Sequence, residues 1–92
     1  MKYIEVLRKD KTIQEIPFTD KMFSIGNLPS SDIPLNSGNI SPRQAKIVKD
    51  GEYITIYNLG EPGTLFVNDK RIKSTVLDLK DVIKIGEYTI RS

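Results

Sequence analysis

Apolar and polar residues alternate in short runs along the whole chain, and no window sustains an apolar period near 3.6. Tyr3, Glu5 and Leu7 alternate with Ile4, Val6 and Arg8, which predicts a first strand. Lys9-Asp10-Lys11 reads as a turn and residues 12–16 as its hairpin partner. Pro17 closes that pairing because it has no backbone donor. Residues 22–26 form a third run, 27–31 a loop, and 32–35 a brief strand that Pro34 assigns to an edge. Residues 36–43 are loop by composition. Residues 45–49 and 53–57 flank Asp50-Gly51, the strongest hairpin signal in the chain, since glycine supplies the positive φ of a tight turn. A turn-rich stretch over 58–63 leads into Leu65-Phe66-Val67. The last third reads as Arg71-Ile72, a polar stretch, residues 82–85, the turn Gly86-Glu87, and residues 88–90. Val76, Leu77 and Leu79 are further core candidates on a short apolar turn. Many short strands with Gly, Pro and Asn punctuation predict an all-β sandwich.

Composition narrows the chemistry. Ninety-two residues make one domain, residues 1–92, and a chain of that length buries about 64% of its unfolded surface, enough for one core. The 14 basic and 12 acidic residues leave a net charge of +2, which gives no strong pull toward nucleic acid or anionic lipid. With no Cys and no His there is no disulfide, thiolate nucleophile, imidazole base or zinc site of the usual kind. No motif places a carboxylate pair or a Ser-Lys arrangement, so enzymatic activity is not expected, nor any cofactor or metal. Asp32, Asp69, Asp78 and Asp81 are scattered and lack calcium-loop spacing. The start has no apolar signal core, and no stretch approaches the ~20 residues of a membrane helix.

Three blocks carry a family resemblance. Ile25-Gly26-Asn27-Leu28-Pro29-Ser30-Ser31-Asp32-Ile33, followed by Ile40-Ser41-Pro42-Arg43-Gln44-Ala45-Lys46-Ile47, resembles the forkhead-associated (FHA) domain. That family carries Gly-Arg, a polar loop ending in Asp-Ile or Asp-Leu, then Ser-Arg-x-His-Ala. The stretch from Asn58 through Gly63-Thr64 to Val67-Asn68-Asp69 is similar to the family's second block. Leu77 through Asp81-Val82-Ile83-Lys84-Ile85-Gly86 is similar to its third, with Lys80 in place of Gly. The resemblance covers nearly the whole chain. It implies a sandwich of about eleven short strands in two sheets, with three loops at one end that read a phosphothreonine peptide.

The chain departs from the family where that chemistry resides. The Arg after the glycine is Asn27, the Arg after the serine is Pro42, and the His is Gln44. The Asn before Gly-Thr is Gly63 without a gap, or Pro62 aligned on Gly-Thr. A phosphothreonine brings about −1.5 to −2 charge and three acceptor oxygens. Each charged hydrogen bond lost costs about 1.5–3 kcal/mol, so losing two weakens binding by roughly two to four decades. The family-loop positions for binding are Asn27, Ser41, Pro42, Arg43, Gly63 and Thr64. Arg43 either reaches the same pocket or is a solvated edge charge. Ser41 either touches ligand or starts a turn. Gln44 is expected to keep the structural part of the His role by bonding between loops, without titrating. Lys70, Arg71 and Lys73 read as a solvated basic face, and the four tyrosines as packing residues on strands.

The expected function is a protein-protein interaction module that takes a protein or peptide partner independently of phosphothreonine. The alternative is a phosphothreonine-peptide reader with a non-standard site. A single-stranded nucleic-acid binder is a third class, and the near-neutral charge argues against it. Divergent domains of this kind resemble those on the cytosolic faces of larger bacterial assemblies, including secretion machines of types VII and III. A cytoplasmic location follows from that likeness, with no membrane insertion by this segment. The stop at Arg91-Ser92, just past the last strand, suggests a domain excised from a longer chain.

Overall fold

The structure, a computed structural model, describes all residues from Met1 to Ser92. It contains eleven strands and no helix. These are β1 (Tyr3–Arg8), β2 (Lys11–Pro17), β3 (Met22–Gly26), β4 (Ile33–Pro34), β5 (Ala45–Asp50), β6 (Tyr53–Asn58), β7 (Leu65–Val67), β8 (Lys70–Arg71), β9 (Ser74–Val76), β10 (Ile83–Ile85) and β11 (Tyr88–Arg91). One sheet runs β2-β1-β11-β10-β7-β8 and the other β4-β3-β5-β6-β9. Every paired neighbour is antiparallel except β3 with β4. The sandwich and its strand number match the sequence expectation.

The period-2 pattern places the core. Ile4 and Val6 of β1, Ile25 of β3, Ile47 of β5, Ile56 of β6, Ile85 of β10 and Ile90 of β11 are almost wholly buried between the sheets. Fully burying one such side chain contributes about 1.5–3 kcal/mol. Two-residue loops join four hairpins, in which Arg8 pairs with Lys11, Asp50 with Tyr53, Val67 with Lys70, and Ile85 with Tyr88. The turn after β5 is Gly51-Glu52, one residue later than the expected Asp50-Gly51, with Asp50 paired in the strand. Gly51 takes φ +60° at its first central position, where a type II′ turn places glycine. The β1–β2 turn does the same without glycine, with Lys9 at φ 51° and Asp10 at φ 61°.

The segment after β8 differs from expectation. What was expected as a polar stretch followed by a short apolar turn forms β9, which pairs Val76 with Thr55 and Ser74 with Tyr57. Of the three proposed core residues there, only Leu77 is buried; Val76 is 52% and Leu79 64% exposed. The reason is alternation: Val76 points away from the core beside Thr55, and Leu77 turns inward as its amide bonds the Ile54 carbonyl at 2.7 Å. Tyr88 is likewise the one buried tyrosine, its hydroxyl donating to the Asn36 carbonyl at 3.0 Å.

Candidate functional site

Three loops converge at one end of the sandwich, following β3, β4 and β6. Gly26 brings the first two together. A Cβ on Gly26 would stand 1.9 Å from the Pro42 carbonyl oxygen, so only glycine permits this backbone approach. The Asn27 amide then donates to the Ser41 carbonyl at 3.2 Å, and the Leu35 amide to the Gly26 carbonyl at 2.8 Å. Within the first loop, the Asp32 carboxylate accepts from the Ser24 amide at 2.8 Å and from its hydroxyl at 3.2 Å.

Gln44 joins all three loops. Its side chain is buried and every polar atom is used. Its Nε2 donates to Asn58 Oδ1 at 3.0 Å and to Thr64 Oγ1 at 2.8 Å. Its Oε1 accepts from the Ser41 amide at 3.2 Å. Its backbone carbonyl accepts from the amides of Leu59 and Gly60. Asn58 continues the network, its Nδ2 donating to the Glu61 carbonyl at 3.1 Å. The Thr64 hydroxyl donates to the same carbonyl at 2.6 Å. The bonding between loops expected of Gln44 is therefore present, built from groups that do not titrate.

The six residues picked from the sequence divide. Asn27, Ser41 and Pro42 stand together where the first two loops meet. The Asn27 amide group donates to the Ser37 carbonyl at 3.4 Å, while the Ser41 hydroxyl has no partner within the chain. Gly63 and Thr64 lie across Gln44 from them. Arg43 points elsewhere. It lines a groove of about 330 Å³ with Leu28, Ser31, Lys46 and Leu59; Pro42 borders that groove too, while Asn27, Ser41, Gly63 and Thr64 do not.

A residue first read as part of a solvated face stands at this end as well. Arg71 sits opposite Phe66 across the β7–β8 hairpin. Its side chain packs on the Gly63 backbone, with Nε 3.7 Å from where a Gly63 Cβ would be. Arg71, Lys73, Asn58 and Gly63 border a hollow of about 220 Å³. The sequence signal was the two-residue turn Asn68-Asp69, whose register places Arg71 next to the loop before β7.

Comparison with known proteins fits this geometry. The family model described as FHA domain matches residues 23–86. No curated protein matches the chain. Among solved structures, EmbR of Mycobacterium tuberculosis in complex with a low-affinity phosphopeptide is 26% identical, with a TM-score of 0.84 over 97% of this chain and 24% of that one. The FHA domain of CT664 from Chlamydia trachomatis is 22% identical, with a TM-score of 0.83 over 97% of this chain and 92% of that one. The FhaA FHA domain, solved in complex with the intracellular domain of Rv3910, is 20% identical, with a TM-score of 0.81 over 96% and 97%. Matched over more than two thirds of its length, and with Gly26, Ser41 and the Gly63-Thr64 turn placed on its converging loops, the chain belongs to the FHA domain family of protein-interaction modules, which typically bind phosphopeptides.

Proposed function

We propose that this domain binds a protein partner without requiring phosphothreonine at its loop end. One observation carries the reading. The side-chain donors of Gln44, Asn58 and Thr64 are spent on contacts among the loops, and Asn27 commits one of its two amide hydrogens to the Ser37 carbonyl. Pro42 brings neither charge nor a backbone donor, and no cation follows Gly26. A dianionic ester held there would meet only neutral donors, the Ser41 hydroxyl and the second Asn27 amide hydrogen, where charge-assisted bonds are needed. On this reading the domain works in the cytoplasm, beside a larger bacterial assembly of the secretion type; the FhaA FHA domain, a structural neighbour, is solved with the intracellular domain of another protein.

Titration with a phosphothreonine peptide library tests this. The expected outcome is no saturable binding in the micromolar range. Micromolar binding that disappears in Ser41→Ala and Arg43→Ala would overturn the proposal. A second reading, a phosphopeptide reader with a relocated anchor, is favoured by Arg71 against Gly63. It requires that Arg71→Ala abolish such binding.

A further inference from the structure

The two outer faces of the sandwich differ in chemistry. On the six-stranded sheet the outward row of Glu15, Glu5 and Arg91 is polar, and Arg91 Nε bonds Glu5 Oε1 at 2.7 Å. On the five-stranded sheet, register sets Met22 beside Val48, Val48 beside Thr55, and Thr55 beside Val76. The next row is Ser24, Lys46, Tyr57 and Ser74. Six of the nine exposed large apolar side chains lie on this face or its rim: Met22, Leu28, Tyr53, Tyr57, Leu59 and Val76. The solvent face of an antiparallel sheet is ordinarily polar, and a clustered apolar patch on it marks a place of contact.

The charges of this face have one sign where it meets the loops. It opens there into the groove of about 330 Å³, whose apolar border is Met22, Leu28 and Leu59 and whose cations are Arg43 and Lys46. None of the lining residues is acidic. Neither cation belongs to any of the three ion pairs of the molecule. The Lys46 ammonium rests 5.2 Å from the Tyr57 ring centre, which orients it without neutralising it. The Asp32 carboxylate is bonded to the amide and hydroxyl of Ser24, and it makes no ion pair with either cation.

We infer that the outer face of the five-stranded sheet docks an acidic, apolar segment of the partner protein. Its apolar side chains cover Met22, Tyr57 and Leu59, and a carboxylate caps Arg43 and Lys46. A guanidinium grips a carboxylate through two parallel bonds, and the apolar surround excludes water from the pair. The inference rests on the reading that partner binding does not use a phosphate pocket at Asn27 and Ser41, and it moves the contact to the sheet face and the flank of the loops beside it, Leu28, Pro42, Arg43 and Leu59.

Selection of short, random, unphosphorylated peptides on the immobilised domain supplies the probe. Selected peptides are expected to carry Asp or Glu among aromatic and aliphatic residues. In amide NMR titration they are expected to shift Met22, Lys46, Tyr57 and Leu59. The double variant Arg43→Glu with Lys46→Glu is expected to weaken them at least about tenfold, and to recover peptides whose acids are exchanged for Lys. Tyr57→Ser, at an exposed position, is expected to weaken the same peptides with the unfolding midpoint little changed. Peptides without acidic enrichment overturn the inference, as do shifts confined to residues 36–41 and 60–64. Self-association through this face, seen in sedimentation, overturns it too, as does charge-driven binding of phosphatidylserine vesicles that outcompetes peptide. Unphosphorylated ligands that map elsewhere sink this inference alone. A selection that yields no ligand, with binding seen only in the phosphothreonine library, sinks the proposed function with it.

Discussion

At the scale of single residues, two positions hold the loop end together, and each has a measurable consequence. Gly26 touches the Pro42 carbonyl so closely that Gly26→Ala is expected to cost about 3 kcal/mol or more, because backbone, not a flexible side chain, must move. Gly38→Ala, where an added methyl meets nothing, is expected to stay within about 0.5 kcal/mol. Urea midpoints of the two variants give the comparison. Gln44→Leu deprives Thr64 and Asn58 of their shared partner and leaves the buried end of the network unpaired. A loss of about 1–3 kcal/mol is expected, with faster hydrogen exchange at the Ser41 amide, whose acceptor is the Gln44 side chain. Unchanged Ser41 exchange would mean the network does not order that loop. The importance of Gly26 and Gln44 was legible in the sequence, because Gly26 is the family's glycine and Gln44 stands at the spacing of the family's His. The direction of Arg43 and the contact of Arg71 were not, since a side chain's aim depends on the register of its strand and on neighbours far away in the chain.

At the scale of elements, the hairpins were legible because turn chemistry is local. Asp50-Gly51 announces its hairpin to within one residue of the observed Gly51-Glu52 turn, and Gly86-Glu87 announces its own. β9 was not legible: Ser74, Thr75 and Val76 carry little alternation, and the strand exists because β6 offers it an edge. The β1–β2 hairpin holds two non-glycine residues in the left-handed region. Asp10 makes no ion pair or side-chain bond, so Asp10→Gly is expected to raise stability by up to about 1 kcal/mol, read as a higher urea midpoint. Glu5 ties three strands, accepting from Thr12 of β2 at 2.5 Å and from Arg91 of β11. Those two hydrogen bonds, Thr12 first, hold its carboxyl below its ordinary pKa. A lowered folded pKa stabilises the fold above the unfolded value, and that contribution fades as pH falls through the folded one. The stability difference between the native chain and Glu5→Gln is therefore expected at neutral pH and should close in acid, below the ordinary carboxylate range. A difference that persists or widens in acid would contradict the assignment.

At the scale of the whole molecule, the fold class was legible and the closure of the sandwich was not. Three motif blocks in order identify the middle of the chain, and the matched segment is residues 23–86. The termini carry no such motif, yet β1 and β11 are interior strands of the six-stranded sheet. β11 sits between β1 and β10, and β1 between β2 and β11. A chain of residues 23–86 would keep β10, β7 and β8 of that sheet and lose Ile4, Val6, Leu7, Tyr88 and Ile90 from the core. At about 1.5–3 kcal/mol for each buried side chain, those five residues represent roughly the entire stability of a small domain, about 5–15 kcal/mol. The loops that define the family would then stand on a sandwich open along one side. Residues 23–86 alone are expected to give a collapsed amide NMR spectrum and no cooperative unfolding, while residues 1–92 give dispersed signals and one transition. Cooperative folding of the shorter chain would mean that the loop network around Gln44, not the sheet built by the termini, is what fixes the recognition end in place.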